Sequence, residues 1–381
     1  MAANTFKIPL FKVFMSKDVL EPLNNVLMSG YITQGSKVDE FESKLRTYFN
    51  NEYVLTVNSA TSGLTLALRL LDLDRGDEIL TPSLTCTATN WPILNHGLKI
   101  KWVDVDPETA NVNLDDLKSK LSPTTKAIQV VHWAGYPVDL DALVVIQDYC
   151  KETYGFRPMI IEDCAHAFGA EYKGAKLGNH GNICVFSLQA IKHLTTGDGG
   201  LIILPNEEMY NRAKLLRWYG IDRSKRSQGK DFRMENDIVE WGYKFHMNDI
   251  NATIGLYNLP HIDGLLKKNR ANADYLYSRL RDVPGITLLE NRDDRKSSWW
   301  LFTIRVDRKD EFIQQMSSKS IMVSQVHKRN DGHTCVSDFK TSLPLLDEFE
   351  KEIVCLPVGW WLEETDLEYM VNEIKNFISN V

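Results

Sequence analysis

None of the six cysteines, Cys86, Cys150, Cys164, Cys184, Cys335 and Cys355, stands at Cys-x-x-Cys spacing from another, and most lie in apolar, strand-like surroundings. Buried, reduced thiols are expected, and neither a disulfide framework nor a zinc site. Long apolar runs are missing as well. No stretch reaches the roughly 18 residues that a membrane-spanning helix needs, and the opening residues Met1 to Pro9 lack the apolar core of a secretion signal. These absences exclude a membrane partner and point to a cytoplasmic protein. Positive charge is also in short supply. The 44 Lys and Arg are outnumbered by 51 Asp and Glu, and the cations are scattered among acids, which leaves no footprint for nucleic acid. Internal repeats and low-complexity linkers are absent, so the parts of the chain are expected to pack closely.

What remains is an ordinary globular composition. With 381 residues, 43% of them apolar, the chain can bury the cores of one large domain and one smaller one. In the first two thirds, β-rich runs from Tyr53 to Val57, Glu78 to Leu80, Lys99 to Val103, Ala127 to Val131 and Met159 to Ile161 alternate with helical patterns such as Gly63 to Leu71. The alternation predicts repeated βαβ units and an α/β fold. Its mainly parallel, mixed sheet is flanked by helices and takes ligands beyond its strand ends. A charged helical pattern from about Asn248 to Asp282 bridges to the last third. There, Trp299 to Val306, a helix near Glu311, a strand from Met322 to Val326 and a terminal helix from Glu364 predict an α+β unit. The expected division is a large domain over residues 1–255, and a smaller C-terminal domain with its bridging helix over residues 256–381.

The chemistry rests on a few short segments. Asn58 to Gly63 lies between a strand and a helix, where free N–H groups, the helix dipole and small hydroxyl side chains favour a phosphate; a plain helix cap is the competing reading. Asp163 ends a strand that reads as buried on both faces. A carboxylate there needs a partner, which a protonated pyridine nitrogen would supply, and His166 would reach the same ring. A turn-initiating Asp is the alternative. The Glu162-Asp163 pair has no companion ligands at metal spacing, so no metal is expected. Ser187 and Lys192 would face one pocket, the hydroxyl towards a phosphate and the amine towards an aldehyde, and the residues from Thr195 to Gly200 permit a tight reversal. A lysine between apolar residues is ordinarily a surface residue with a buried stem. Here it follows a phosphate cradle and a strand-end acid, the order a pyridoxal phosphate enzyme needs.

With those residues in place, the sequence resembles the DegT/DnrJ/EryC1/StrS sugar aminotransferase family, within the fold type I pyridoxal phosphate enzymes. The likeness runs in order through Ser29 to Gly35, Asn58 to Leu64, Gly76 to Pro82, Val103 to Asp106, Lys126 to Ile128, the segments of Asp163 and Ser187, and Gly242 to Ala252. The resemblance implies pyridoxal 5'-phosphate as cofactor, a fold type I aminotransferase architecture and a homodimer with shared active sites. By the same resemblance Thr61, Ser62 and Ser187 hold the phosphate, Asp163 pairs with the pyridine nitrogen, His166 stands near the ring hydroxyl, and Lys192 forms the imine and acts as the base. Lys244 or His246 would reach the cofactor phosphate across the dimer interface. Cys86 departs from the pattern, because relatives usually place there an aromatic that stacks on the ring. Either its sulfur packs on the ring, or Trp91 or His166 supplies the face. Some relatives that eliminate water carry His in the lysine's place; since Lys192 is kept, His193 is expected to point elsewhere.

For the substrate, Tyr31 belongs to an N-terminal segment that borders family active sites. The polar run from Gln325 to Asp331, with His327 and Arg329, would recognise a phosphate, diphosphate or carboxylate, against the alternative of a solvated turn. The implied reaction moves an amino group from L-glutamate to a keto-sugar, a nucleotide-linked 4-keto-6-deoxyhexose, for surface polysaccharide, lipopolysaccharide or other glycan synthesis. The alternatives are a pyridoxal phosphate-dependent sugar dehydratase and a cofactor-binding regulator without catalysis.

Overall fold

Thirteen strands in three sheets are found over residues 6–223 and 237–379, the parts of the chain that the computed structural model describes. Residues 1–5 of the opening stretch lie outside them. In chain order the strands are β1 Val54–Val57, β2 Glu78–Pro82, β3 Lys99–Val103, β4 Thr125–Val131, β5 Met159–Asp163, β6 Glu171–Tyr172, β7 Ala175–Lys176, β8 Ile183–Ser187, β9 Gly200–Ile203, β10 Ile286–Leu288, β11 Arg295–Lys296, β12 Phe302–Val306 and β13 Ile353–Leu356. The main sheet has the order β1-β9-β8-β5-β4-β2-β3. Within it β9 alone runs against its neighbours, so the sheet is mixed and mainly parallel, as the alternation of strand and helix patterns requires.

Apolar cores cover both faces of this sheet, and the pleat decides which face carries chemistry. Along β5 and β8, Ile160, Cys184 and Phe186 enter one core together with the helices Ser36–Phe49 and Leu140–Tyr154. Ile161, Ile183 and Val185 enter the other, against the helix Ala60–Leu70. Side chains two apart share a face. Asp163 and Ser187 therefore fall on the second side, at the C-terminal ends of their strands.

The helix Ala60–Leu70 begins at Ser59, whose Oγ accepts the Ser62 N–H at 3.1 Å. Two glycines let it come close. A Cβ at Gly63 would stand 2.7 Å from Val185 Cγ1, and one at Gly200 only 2.6 Å from the Ala60 nitrogen. The N-terminus of the helix is thus held directly over the ends of β8 and β9.

In the last third, the antiparallel sheet β10-β12-β13 packs with the helices Ile262–Leu280, Lys309–Ser318 and Glu364–Ser379 around a third core that includes Phe302, Phe312 and Phe377. Three details differ from the sequence pattern. The helical stretch after Asn248 is broken into Asp249–Asn258, a tight turn Leu259–His261 and Ile262–Leu280, because Pro260 has no N–H to give the ladder. The strand expected from Trp299 starts at Phe302 instead, since Trp299 takes a left-handed φ of 50° that a strand does not tolerate. Between Met322 and Val326 there is no strand, only an isolated bridge from Ser324 to Cys355, and Val326 turns the chain with φ 69°. Of the free cysteines, Cys150, Cys164, Cys184 and Cys355 are buried, Cys86 is partly covered and Cys335 is exposed. No helix among the described residues is long and apolar enough to cross a membrane.

Candidate active site

Beyond the ends of β5 and β8 lies a cavity of about 440 Å³, within the range of small-molecule sites. Ser59, Ala60 and Thr61 line it at the positive end of the helix Ala60–Leu70, and Ser187 faces them. Ser187 Oγ accepts the Gln189 N–H at 3.3 Å, which leaves its own proton to donate. Ser62 stands behind this row: its Oγ lies 3.0 Å from Ser59 Oγ, and it does not line the cavity. Backbone N–H groups, three hydroxyls and a helix N-terminus at one end of a cavity are a seat for an anion.

Lys192 sits five residues past β8, in a loop whose neck is closed by the Leu188 N–H on Gly199 O at 2.9 Å. Its own N–H donates to Gln189 O at 2.9 Å, and Thr195 and Thr196 bond back to Leu188 O, so the loop is tied to itself. Lys192 lines the cavity and is partly covered. Burial draws the amine's pKa down to about 7, against the opposing pull of Asp163 and Cys86. Near neutral pH this amine exchanges its proton readily. Nζ stands 3.5 Å from the centre of the Trp300 ring.

Asp163 is 3% exposed. Burial pushes its carboxyl pKa up, while Thr89 Oγ1 (2.7 Å from Oδ2), the Ala165 N–H (3.0 Å from Oδ1) and the nearby Lys192 favour the anion. No cation touches the carboxylate among the described residues, although it lines the cavity. A cationic ring nitrogen meets that need.

The opposite wall is aromatic. His166 stacks on Trp300 with ring centres 3.9 Å apart, and His327 lies parallel to His166 at 5.6 Å. Both imidazoles keep a buried nitrogen without a partner, Nδ1 of His166 and Nε2 of His327. Burial, then the Lys192 charge, holds His166 well below the ordinary histidine range and His327 at about 4, so both are neutral at pH 7. Trp300 is fixed by its own indole N–H on Ile191 O at 2.9 Å and by the Phe11 ring stacked against it at 4.9 Å. Nothing in the strand pattern around Trp300 announced this role; the residue is part of the aromatic run that the positive φ of Trp299 bends towards the large sheet.

The remaining residues singled out in the sequence divide. Cys86 lines the cavity, at the start of the helix Thr87–Asn95. Trp91 does not, and instead meets His333 edge-on at 5.9 Å. His193 points away, with Nε2 3.0 Å from Ser298 O and its pKa lowered by burial to about 4. Tyr31 is 84% exposed and outside the cavity. Arg329 is also outside: Asp331 holds its guanidinium at 2.8 and 2.7 Å, with Asp347 and Glu350 beside it. Asn330 N–H in turn donates to Ser83 O at 2.9 Å, and Ser83 Oγ to Asp331. This latch carries His327 into the cavity. Lys244 and His246 do not line it either. The Lys244 and Phe245 carbonyls accept from Asn58, so this segment lies beside the anion seat, and His246 packs on Trp218 at 3.6 Å with Nδ1 unpartnered.

An anion seat, a buried carboxylate lacking a cation, two orphaned imidazole nitrogens and an amine of pKa about 7 together fit a phosphorylated pyridine aldehyde. Comparison with known proteins agrees. A sequence model of the DegT/DnrJ/EryC1/StrS aminotransferase family matches residues 14–375. Among solved structures, AtS13 from Actinomadura melliaura is 50% identical, with a TM-score of 0.94 over 98% of this chain and 99% of that one. The sugar aminotransferase CalS13 from Micromonospora echinospora is 45% identical, with a TM-score of 0.93 over 97% and 99%. DesV from S. venezuelae, solved in complex with a ketimine intermediate, is 27% identical, with a TM-score of 0.87 over 96% and 95%.

Proposed function

Because the chain belongs to the DegT/DnrJ/EryC1/StrS aminotransferase family, and so is a pyridoxal phosphate-dependent sugar aminotransferase, we propose that it carries an amino group from L-glutamate to the keto group of a nucleotide-linked 4-keto-6-deoxyhexose. The observation that carries this reading is the Lys192 amine, held at a pKa of about 7 within a cavity that also contains the Asp163 carboxylate. When bound, pyridoxal phosphate supplies an aldehyde that captures amines and a ring that draws electrons from the carbon next to the captured nitrogen.

The protein's own groups divide the remaining work. The Ser59, Thr61 and Ser187 hydroxyls and the N-terminal amides of the helix Ala60–Leu70 hold the phosphate, with Ser62 bracing Ser59. Asp163 would pair with the ring nitrogen and keep a proton there. Lys192 Nζ would serve as the base that takes the proton from the donor's α-carbon and as the acid that returns one to the sugar carbon. The unpartnered His166 Nδ1 would take the ring hydroxyl, and His327 Nε2 a sugar hydroxyl. Cys86 would offer the ring a soft apolar contact. Phe11, Ile191 and Val326 offer the apolar surface that a deoxygenated carbon prefers. In a homodimer, the segment with Lys244 and His246 reaches the cofactor phosphate of the second copy. The product feeds surface polysaccharide or other glycan synthesis in the cytoplasm.

The test is incubation of the purified protein with L-glutamate and a panel of nucleotide-linked keto-sugars, with mass detection of products. An amino sugar plus 2-oxoglutarate is expected, and Lys192→Ala should lose both together with the absorbance band due to the lysine-linked form of the cofactor. Ammonia release with a deoxygenated sugar would mark a dehydratase. No reaction with L-glutamate in a cofactor-loaded protein would remove the donor assignment.

A further inference from the structure

Asp163 does not stand alone behind the cofactor seat. Its Oδ2 accepts from Thr89 Oγ1 at 2.7 Å, and Thr89 Oγ1 lies 2.8 Å from Thr85 Oγ1. Thr85 and Thr89 are each 1% exposed, and both line the cavity. Thr89 is placed by the first turn of the helix Thr87–Asn95 and by Gln129, whose Nε2 donates to Thr89 O at 2.6 Å. A hydroxyl has a single proton. While Asp163 is ionised it can only accept, so the Thr89 proton goes to Asp163 and Thr85 must donate to Thr89. If Asp163 takes up a proton of its own, the donor order can reverse along all three groups. The chain of hydroxyls is therefore coupled to the charge on Asp163 in one direction only.

The surroundings give that coupling weight. The groups facing Asp163 are the Ala165 N–H on Oδ1, the Lys192 amine in the cavity and, more distantly, the His132 ring. His132 is already engaged by Glu162 at 2.8 Å and by the Val138 N–H at 3.0 Å. Of the direct contacts among the described residues, Thr89 is the only side chain.

We propose that Thr89, backed by Thr85, is a positioning pair that fixes the Asp163 carboxylate as an anion with Oδ2 committed, so that the proton at the cofactor's ring nitrogen is kept through both halves of the reaction. This rests on the reading of Asp163 as the partner of that nitrogen. Thr89→Val keeps the shape, removes the donated proton and leaves Oδ2 bare in a buried site. The carboxyl then holds a proton more tightly, and the ring nitrogen yields its own.

Nitrogen NMR of the holoenzyme, loaded with pyridoxal phosphate isotope-labelled at the ring nitrogen, reads the outcome directly across pH. Wild type is expected to show a protonated ring nitrogen over the working range, and Thr89→Val a loss of that proton beginning at lower pH. A drop in kcat of about ten-fold or more accompanies it, as removal of a bond to a charged group implies, with little change in cofactor affinity. Thr89→Ser should restore both signals. Thr85→Val should move them the same way by less, and serves if Thr89→Val does not fold. If Asp163→Asn changes the ring-nitrogen signal while neither threonine variant does, the relay is overturned and the Asp163 reading stands. If the signal is the same in wild type and Asp163→Asn, the Asp163 reading itself fails.

Discussion

Three buried imidazoles, the half-buried His327 and the partly covered Lys192 amine titrate in separate windows. His193, His246 and His327 have folded pKa values of about 4, and His166 is also depressed, against an ordinary 6.5. The unfolded chain therefore binds more protons than the folded one between pH 4 and 6.5, so stability falls on acidification through that range. Lys192 is lowered from 10.5 to about 7, so its cost to folding is full below pH 7 and fades as the pH rises towards 10.5. Thermal melts of the apoprotein should show both slopes. Lys192→Met should flatten the one above pH 7 and, because the lysine charge adds to burial in depressing His166, His193 and His327, make the acid one shallower without abolishing it; an unchanged alkaline slope would show that the amine is not desolvated. These shifts were invisible in the sequence. Lys192, Asp163, His166 and Ser187 could be singled out because chain order and strand ends are local properties. Trp300 could not, because its contact with Lys192 depends on a backbone reversal at Trp299 that no periodicity encodes.

At the scale of elements, the close approach of the helix Ala60–Leu70 to β9 has a sharp requirement at Gly200. Its missing Cβ would meet backbone atoms of Ser59 and Ala60, which cannot move without opening the helix cap. Gly200→Ala is expected to cost about 1–3 kcal/mol by overpacking, and to weaken pyridoxal phosphate binding in a fluorescence-free assay such as equilibrium dialysis. Normal binding with normal stability would show that the cap is softer than its contacts indicate. The Arg329 latch makes a second case. Read from the sequence, the run from Gln325 to Asp331 is a basic strip awaiting a phosphate. In the structure its guanidinium is already claimed by Asp331, Asp347 and Glu350, and the work of the segment is to bring His327 over His166. Charge in a sequence shows what a residue can bind, and the fold decides whether a neighbour has bound it first. Arg329→Ala should destabilise by about 1–3 kcal/mol, the loss of a bond set to a partly buried carboxylate. It should also raise KM for the sugar more than it lowers kcat for the glutamate half-reaction; the reverse split would show that the segment serves the donor step instead.

For the whole molecule, the parallel sheet, its double cover of helices and the α+β last third follow from run lengths and alternation, which is why the architecture was legible from composition and spacing alone. Assembly is written less plainly. Met28, Tyr31, Val239 and Trp241 are strongly exposed, at 76%, 84%, 95% and 63%, and large apolar surfaces of this kind suit burial against a second copy. Sedimentation should show a dimer at micromolar concentration. If Lys244 serves the neighbouring site, mixed and refolded Lys192→Ala and Lys244→Ala proteins, each inactive, should recover roughly a quarter of wild-type activity, since half of the dimers carry one intact site of two. No recovery would confine Lys244 to its own subunit.

The indole of Trp300 has one more consequence. A tryptophan whose ring centre lies 3.5 Å from the reactive amine, flanked by an imidazole, reports electronically on whatever occupies that amine. Its emission should be quenched when the cofactor seats and should change again with each amine that enters or leaves, so the turnover of single molecules could be followed by light without any added dye. Trp300→Phe would darken that channel while leaving the other eight tryptophans as a steady background.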